Sequence, residues 1–308
     1  MDRAEQWVQS TDALKMMPMV AQRVLAALQN PDRLSAQDLA SLIAHDPVLC
    51  ARVIRESNSA YHGRLEVKEL LGAVVVLGFN RATEIALAAS CIEAFGPSGD
   101  LRTRFAWRRG LLVATAACKL ARSVFGGGGD VLFVAGLLHD LGRSALRSYA
   151  PEVERAAYQD ALDDMEAYAR CKDACDLDPS DFGRALASTW NLPAEARFVM
   201  LHHHDRAALR DPEATPDEKF ALGIVMIAKQ LADSAMAFCD REVALEQAQK
   251  VLRAFPHLAG KRIMQTVEAL NDELCSTMDG EKKREPVSEA QPTSPASQRP
   301  LAAASSRG

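Results

Sequence analysis

The sequence predicts an all-α fold, and three observations carry that expectation. Apolar residues recur at three- and four-residue spacing along most of the chain, the period of a helix with one face against a core. Helix start and stop signals punctuate those stretches at helix-length intervals. The β-branched run Val74–Leu77 lies inside a longer helix-period segment with no hairpin turn after it.

Met19, Val20, Val24, Leu25 and Leu28 make the first apolar face, with Pro18 at a first-turn position where a missing N–H is tolerated. Ser35 caps a short helix carrying Leu39, Leu42 and Ile43, and Asp46-Pro47 opens the next, through Leu49, Val53 and Ile54. Gly63 and Gly78 punctuate two further segments, and Asn80 caps a helix running towards Phe95. Gly96-Pro97-Ser98-Gly99 marks the boundary between an N-terminal and a C-terminal helical lobe. Leu101 to about Phe125 reads as one long helix ended by Gly126–Gly129. Asp130 then caps VLFVAGLLHDLGRSALRSY, which is apolar on most faces over its first half and is therefore expected to be central. Pro151, Asp178-Pro179 and Leu192-Pro193 start three more helices; residues 205–216 read as a polar loop, and helices resume to about Met278. Residues 279–308 are rich in Lys, Ser, Pro and Ala without periodicity, which predicts a disordered tail.

Composition narrows the function classes. The chain has 308 residues, 36 Lys and Arg against 41 Asp and Glu, and a formal charge of −5. That acidic balance argues against a protein whose main task is gripping nucleic acid. With 48% apolar and 25% charged residues the chain is expected to fold, and no apolar run approaches the ~18 residues a membrane helix needs. The polar N-terminus carries no signal peptide, and seven cysteines without framework spacing read as thiols in a reducing cytosol, so a cytoplasmic location is expected.

Two stretches are specific. IAHDPVLCARVIRESNSAYHG (Ile43–Gly63), followed by VKELLGAVVVLGFNRATEIAL (Val67–Leu87), closely resembles the N-terminal half of HDOD domains, the HD-related output domains of bacterial signalling proteins. VAGLLHDLGRSAL (Val134–Leu146) resembles the HD segment of the same domain, and STWNLP (Ser188–Pro193) with LHHHD (Leu201–Asp205) matches its later landmarks. The resemblance covers 14–231, divided into an N-terminal lobe (14–96) and an HD-like lobe (100–231). Residues 232–278 are then additional helices packed on the HD-like lobe. It implies a helical lobe on a bundle related to HD phosphohydrolases, and a regulatory role usually without catalysis.

HD phosphohydrolases hold a divalent metal with an early His, the His-Asp pair and a late Asp, and the metal acidifies a water that attacks phosphorus. The resemblance places the pair at His139 and Asp140, with Arg109 where the early His should fall and Lys229 in the late Asp column. Asp233 follows Lys229 by one turn, and Pro179 replaces a further histidine. His203 or His204 is left to supplement the pair. Two secure ligands fall short of the three or four that a mononuclear site offers, and two ligand positions carry cations. No metal and no cofactor is therefore expected, with His139, Asp140 and His203 as weak candidate ligands.

The bland readings stand beside that one. Gly136, His139 and Gly142 share a helix face and would let another helix approach closely, while Asp140 and Arg143 are spaced to pair. Arg102, Arg104, Arg108 and Arg109, interleaved with Phe105 and Trp107, read as a solvated face beside an interlobe joint rather than a nucleic-acid surface. Cys171 and Cys175 are one turn apart without a second ligand pair. The triple His202–His204 reads as a helix C-terminal cap, and Asn58 with Ser59 as turn chemistry.

The expected function is a non-catalytic cytoplasmic regulator contacting other signalling proteins through its helical surfaces. The alternatives are a divergent HD phosphodiesterase acting on a nucleotide such as cyclic di-GMP, and a sensor holding an anionic nucleotide with Arg109, Lys229 and a His202–His204 imidazole. If the metal is lost, Arg109 is expected to pair directly with Asp140, since a guanidinium can replace the missing counter-charge.

Overall fold

The computed structural model describes residues 2–11, 35–45, 47–60, 67–79, 81–83, 85–86, 101–125, 129–161, 163–255 and 261–282. Among them are fourteen α-helices, one 3-10 turn and no strand, as the period-3.6 pattern predicts. The expected helix around residues 19–28, the breaks at Gly63 and Gly96–Gly99, the Asn80 cap and the tail beyond residue 282 lie outside the described residues.

Helix α1 (Arg3–Ser10) starts at a capping box, Asp2 accepting from Glu5 N while Glu5 accepts from Asp2 N. It docks far along the chain. Trp7 meets Tyr149 and Phe182 edge-on at 5.6 and 5.5 Å, and the Arg3 guanidinium donates to Tyr149 Oη at 2.9 Å. A small N-terminal bundle follows: α2 (Ala36–Ile43), α3 (Pro47–Ala60) and α4 (Leu70–Leu77). Ser35 and Asp38 form the cap expected for α2, and Leu39 and Ile43 of α2, Leu49 and Val53 of α3 and Ala73 and Val74 of α4 are buried. Asn58 is a turn residue only in part. It still lies within α3, and its side-chain amide donates to Val67 O (2.9 Å) and accepts from Val67 N (2.7 Å), clamping the chain as it returns.

The larger bundle carries the site. The long helix α5 (Leu101–Phe125) packs along α6 (Gly129–Leu138). Leu132 to Leu138 are almost all buried, so the apolar surround of α6 is accounted for by its central position. Helix α6 begins at Gly129, so Asp130 is inside its first turn rather than its cap. The predicted single helix through His139 and Asp140 is two. Helix α6 ends at Leu138 and α7 (Leu141–Tyr149) starts afresh, with Asp140 at φ −106°, ψ 16°. At the break, His139 Nδ1 donates to Gly136 O at 2.7 Å, so the side chain of His139 caps a carbonyl of the last turn of α6.

Gly136 and Gly142 therefore serve two different contacts. A methyl at Gly136 would sit 2.9 Å from Ala114 Cα on α5, and one at Gly142 only 2.0 Å from Pro179 O. Helices α8 (Pro151–Tyr158), α9 (Asp164–Cys175), α10 (Pro179–Thr189) and α11 (Ala194–His202) continue the bundle, α10 through a capping box of Asp178 and Asp181. The predicted loop at 205–216 holds a 3-10 turn, Arg206–Arg210, that buries Ala208 and Leu209. Helix α12 (Pro216–Ala235) then runs through the core, buried at nearly every position from Ala221 to Ala232. Helices α13 (Arg241–Leu252) and α14 (Lys261–Lys282) pack against α12, and α14 also against α5. Helix α14 continues past residue 279, where the tail was expected to begin, because Leu270, Leu274 and Met278 extend its buried stripe.

Candidate functional site

Five elements converge beside the α6–α7 break. Helix α5 contributes Arg109, the break His139 and Asp140, α9 Asp164 and Tyr168, the end of α11 His203 and His204, and α12 Lys229 and Asp233. Arg109 is the hub. Its Nε and Nη2 donate to the two oxygens of Asp233 at 2.7 and 3.0 Å, and its Nη1 lies 3.4 Å from His139 Nε2 and 3.8 Å from Asp140 Oδ2. Arg109 and Asp140 are thus in ion-pair range, but the hydrogen-bonded fork predicted for Asp140 belongs to Asp233. Helices α5 and α12 pack directly, so the fork side of the guanidinium faces α12 and only one nitrogen is left for the His-Asp pair.

Lys229 lies near the same cavity, but it is already paired. It is 5% exposed and donates to Asp164 Oδ2 at 2.8 Å and His203 O at 3.3 Å. Asp140 and Arg143 do not form the expected i,i+3 bond. The helix break takes Asp140 off the regular face of α7, and α8 offers Glu154, whose Oε1 accepts from both Arg143 Nε (2.7 Å) and Arg147 Nη2 (2.9 Å). Arg108, expected in solvent, is half-buried. The side chains of Arg102, Arg104 and Trp107 lie outside the described residues.

Of the histidines at the site, His139 and His203 are buried and His202 and His204 half-buried. Nδ1 of His203 donates to Val199 O at 3.3 Å, the same carbonyl-capping device that His139 uses, so the C-cap reading holds for this member of the triple. Its Nε2 accepts from Tyr168 Oη at 3.2 Å, and its ring meets His139 edge-on at 5.0 Å. His204 stacks on Tyr168 at 4.0 Å, and His202 packs against Phe198. Burial pushes His139 well below the usual imidazole range, helped by Arg109 and Lys229; burial, Lys229 and His139 do the same to His203. His204 is lowered to about 4, chiefly by burial. Lys229 holds Asp164 far below the ordinary carboxylate range, whereas burial raises Asp140 despite Arg143 and Arg109. For Arg109, burial opposes the charge, and Asp233 with Asp140 and Asp164 more than offsets it.

These shifts set an acid limit. A histidine whose folded pKa lies below its unfolded value of ~6.5 takes up its proton on unfolding, so stability is full above that pH and falls below it. His139 and His203 together should remove about 3 kcal/mol between pH 7.5 and 5.5, with His204 adding to the loss. Asp164 keeps its contribution until pH drops below the unfolded carboxylate value, and Asp140, whose carboxyl is raised, acts in the opposite sense. Urea titrations at the two pH values test this; equal midpoints would mean the imidazoles are charged or solvated in the folded protein.

A divalent ion does not fit these residues. The Nε2 lone pair that His139 would offer accepts from a guanidinium, and Asp140 faces that same cation. A fixed positive charge this close to a divalent ion costs several kcal/mol, and Lys229 adds a second. Among the described residues no group of three His, Cys, Asp or Glu is placed to hold a metal. Cys171 and Cys175 do share a face of α9, but Cys171 is buried, its thiol pushed up to about 12 by burial, and Cys175 donates to Cys171 O and Leu177 O.

Beside the ion-pair cluster opens a cleft of about 850 Å³, lined by α5, α7 and its cap, α8, Gln159, Ala161, Asp163, Asp164, Asp233 and Phe238. Phe105 and Phe238 stand at it 5.1 Å apart, edge-to-face, and are 46% and 54% exposed. Sequence reasoning named Arg109, His139, Asp140, His203, His204 and Lys229, all of which border one connected cluster. It did not find Asp164, Tyr168, Glu154, Tyr158 or Phe238. A lysine buried in the helical core demands a carboxylate, but nothing in the chain says that Asp164, 65 positions earlier, supplies it.

The HDOD domain family matches residues 14–206 of the chain. An HDOD domain protein of unknown function from Geobacter sulfurreducens superposes with a TM-score of 0.69 at 22% identity, covering 90% of this chain and 96% of its own. A candidate phosphohydrolase from Shewanella amazonensis SB2B gives a TM-score of 0.63 at 23% identity, with 91% and 98% covered. At such identities these likenesses speak to fold alone. An uncharacterized protein of Treponema pallidum (strain Nichols) is 24% identical over 273 residues, 83% of this chain; the chain spans 48% of that relative's length.

Proposed function

The chain belongs to the HDOD domain family, and from that premise we propose that it is a non-catalytic regulatory protein that works by contacts with other signalling proteins. The family supports a signalling-associated role. The observation that carries the non-catalytic part is the Arg109 guanidinium, bonded at once to Asp233 and His139 and facing Asp140, at the place where an HD enzyme gathers ligands around its ion. A permanently charged side chain does there the electrostatic work of a cation, holding carboxylate and imidazole in place, but it acidifies no water. The second cation, Lys229, ties α12 to α9 in the same way. The cluster thus braces a bundle whose working surface is the adjoining cleft, where exposed Phe105 and Phe238 offer the aromatic contact typical of interface centres.

The catalytic half is tested by incubating the full-length protein with cyclic di-GMP and with a generic phosphodiester, adding Mn²⁺, Mg²⁺ or Fe²⁺. No turnover above buffer is expected. Metal-dependent turnover that disappears in Asp140→Ala would overturn the reading. The contact half is tested by affinity capture with Phe105→Ala and Phe238→Ala beside the unmodified protein. A native partner should be lost from both variants while their melting temperatures stay unchanged.

A further inference from the structure

Helix α1 precedes the N-terminal bundle in the chain, yet it packs on α10 of the larger one. Its seat is formed by Tyr149 at the end of α7, Cys175 at the end of α9 and Phe182 on α10. Trp7 stands edge-on to both rings, which themselves lie 5.3 Å apart, and Ala4 and Val8 beside it are fully covered. Arg3 completes the contact, its Nη1 donating to Cys175 O at 3.2 Å and its Nη2 to Tyr149 Oη at 2.9 Å.

Helix α1 is held as a bound peptide is held, and not as a core helix. Eight residues of helix are marginal in water on their own, so α1 owes its fold to its seat. Two of its side chains are buried, one of them an alanine, whereas α12 is buried at nearly every position from Ala221 to Ala232. The anchors are a tryptophan, an arginine and the facing tyrosine, residue types that dominate hot spots between proteins. Both arginine bonds are exposed to water. The helix also lies ahead of residue 14, where the HDOD match begins. A segment held by so little buried surface belongs to the low-stability end of a molecule and opens ahead of the bundle. Its opening uncovers Phe182, which is otherwise wholly buried.

We propose that the seat made by Tyr149, Cys175 and Phe182 is a helix-binding groove, that α1 fills it as an autoinhibitory ligand, and that its partner is an amphipathic helix of another protein with the same pattern. That pattern is a basic residue followed by a small one, then one turn later an aromatic followed by an aliphatic, as in Arg3, Ala4, Trp7 and Val8. The seated helix fixes the chemistry: a guanidinium for the Cys175 carbonyl and the Tyr149 hydroxyl, and a flat ring edge-on to two aromatic rings. None of Trp7, Tyr149 and Phe182 lines the cleft, so the groove is a separate surface from that of Phe105 and Phe238.

The test uses the full-length protein and a fluorescein-labelled peptide of residues 1–11, followed by fluorescence polarisation. On the unmodified protein the peptide competes with its own tethered copy, at an effective concentration on the order of millimolar, so binding should be weak. Trp7→Ala in the protein removes that competitor and should tighten peptide binding at least about tenfold. Arg3→Ala, which disturbs only exposed bonds, should tighten it about threefold and decides the matter if the first variant does not fold. Adding Tyr149→Phe to Trp7→Ala should weaken the peptide about fivefold, because the acceptor for its arginine is gone. A peptide with alanine in place of its tryptophan should bind about thirtyfold less tightly. Peptide affinity unchanged by both Trp7→Ala and Arg3→Ala would make α1 a plain part of the fold and overturn the proposal. Concentration-dependent dimerisation of the unmodified protein, lost in Trp7→Ala, would assign the groove to a second copy and overturn the foreign partner.

Discussion

Replacing Arg109 by alanine should destabilise the protein by about 3 kcal/mol or more, the cost typical of removing one partner from a mostly buried ion pair. Arg109 and Asp233 side chains are 15% and 18% exposed, so water cannot fully replace the lost guanidinium. Three groups are stranded at once: Asp233 loses both its bonds, Asp140 loses a cation at 3.8 Å, and His139 Nε2 loses its donor. Arg184→Ala is the comparator. Its pair with Asp181 is half in solvent, and exposed pairs contribute ~0–1 kcal/mol. Arg109→Lys should recover part of the loss only, because an ammonium cannot make the two-nitrogen fork. In a double-mutant cycle, Arg109→Ala and Asp233→Ala should be strongly non-additive, the second change costing little once the first is made. Urea unfolding measures all of these. A loss for Arg109→Ala no larger than for Arg184→Ala would remove the surrogate-cation account.

Why the sequence foresaw this cluster only in outline is a matter of which interactions are local. Helix caps and breaks depend on neighbours within four residues, so Ser35, Pro151 and Asp178-Pro179 announce their helices, and α2, α8 and α10 begin there. The break at His139 is local too, but it is marked by a side chain bonding its own helix carbonyl, which a hydrophobic period cannot reveal. Arg109 and Lys229 were legible as cations in ligand columns because the HDOD resemblance supplied the columns. Their partners were not. The Arg109 pairing spans 124 residues and that of Lys229 spans 65, and nothing near either residue encodes the choice of Asp233 over Asp140 or of Asp164. That choice comes from how α5, α9 and α12 pack. The cleft-lining pair Phe105 and Phe238 is hidden for the same reason, each residue being an unremarkable apolar position until two distant segments meet.

Gly142→Ala should be the most damaging glycine-to-alanine change among the described residues, at about 3 kcal/mol or more, the upper range for overpacking. The added Cβ would lie 2.0 Å from Pro179 O, 2.9 Å from Gly183 N and 3.0 Å from Pro179 C, all backbone atoms at the start of α10. No rotamer change relieves a clash with backbone, so α7 must move off α10. Asp140, Arg143 and Arg147 border the cleft from α7 or its cap, so its shape should change with the same substitution. A graded series makes the test internal. Gly136→Ala meets Ala114 Cα at 2.9 Å and should follow closely, and Gly110→Ala meets Leu137 O at 3.2 Å and should cost less. Gly183→Ala comes no nearer than 3.4 Å to Met200 O and should be almost neutral, its contact offset by the better helix propensity of alanine. Chemical denaturation ranks the four. A Gly142 variant as stable as the Gly183 variant would mean that α7 and α10 are not packed backbone to backbone, and that the small residues flanking the His-Asp pair leave the approach of these helices unset.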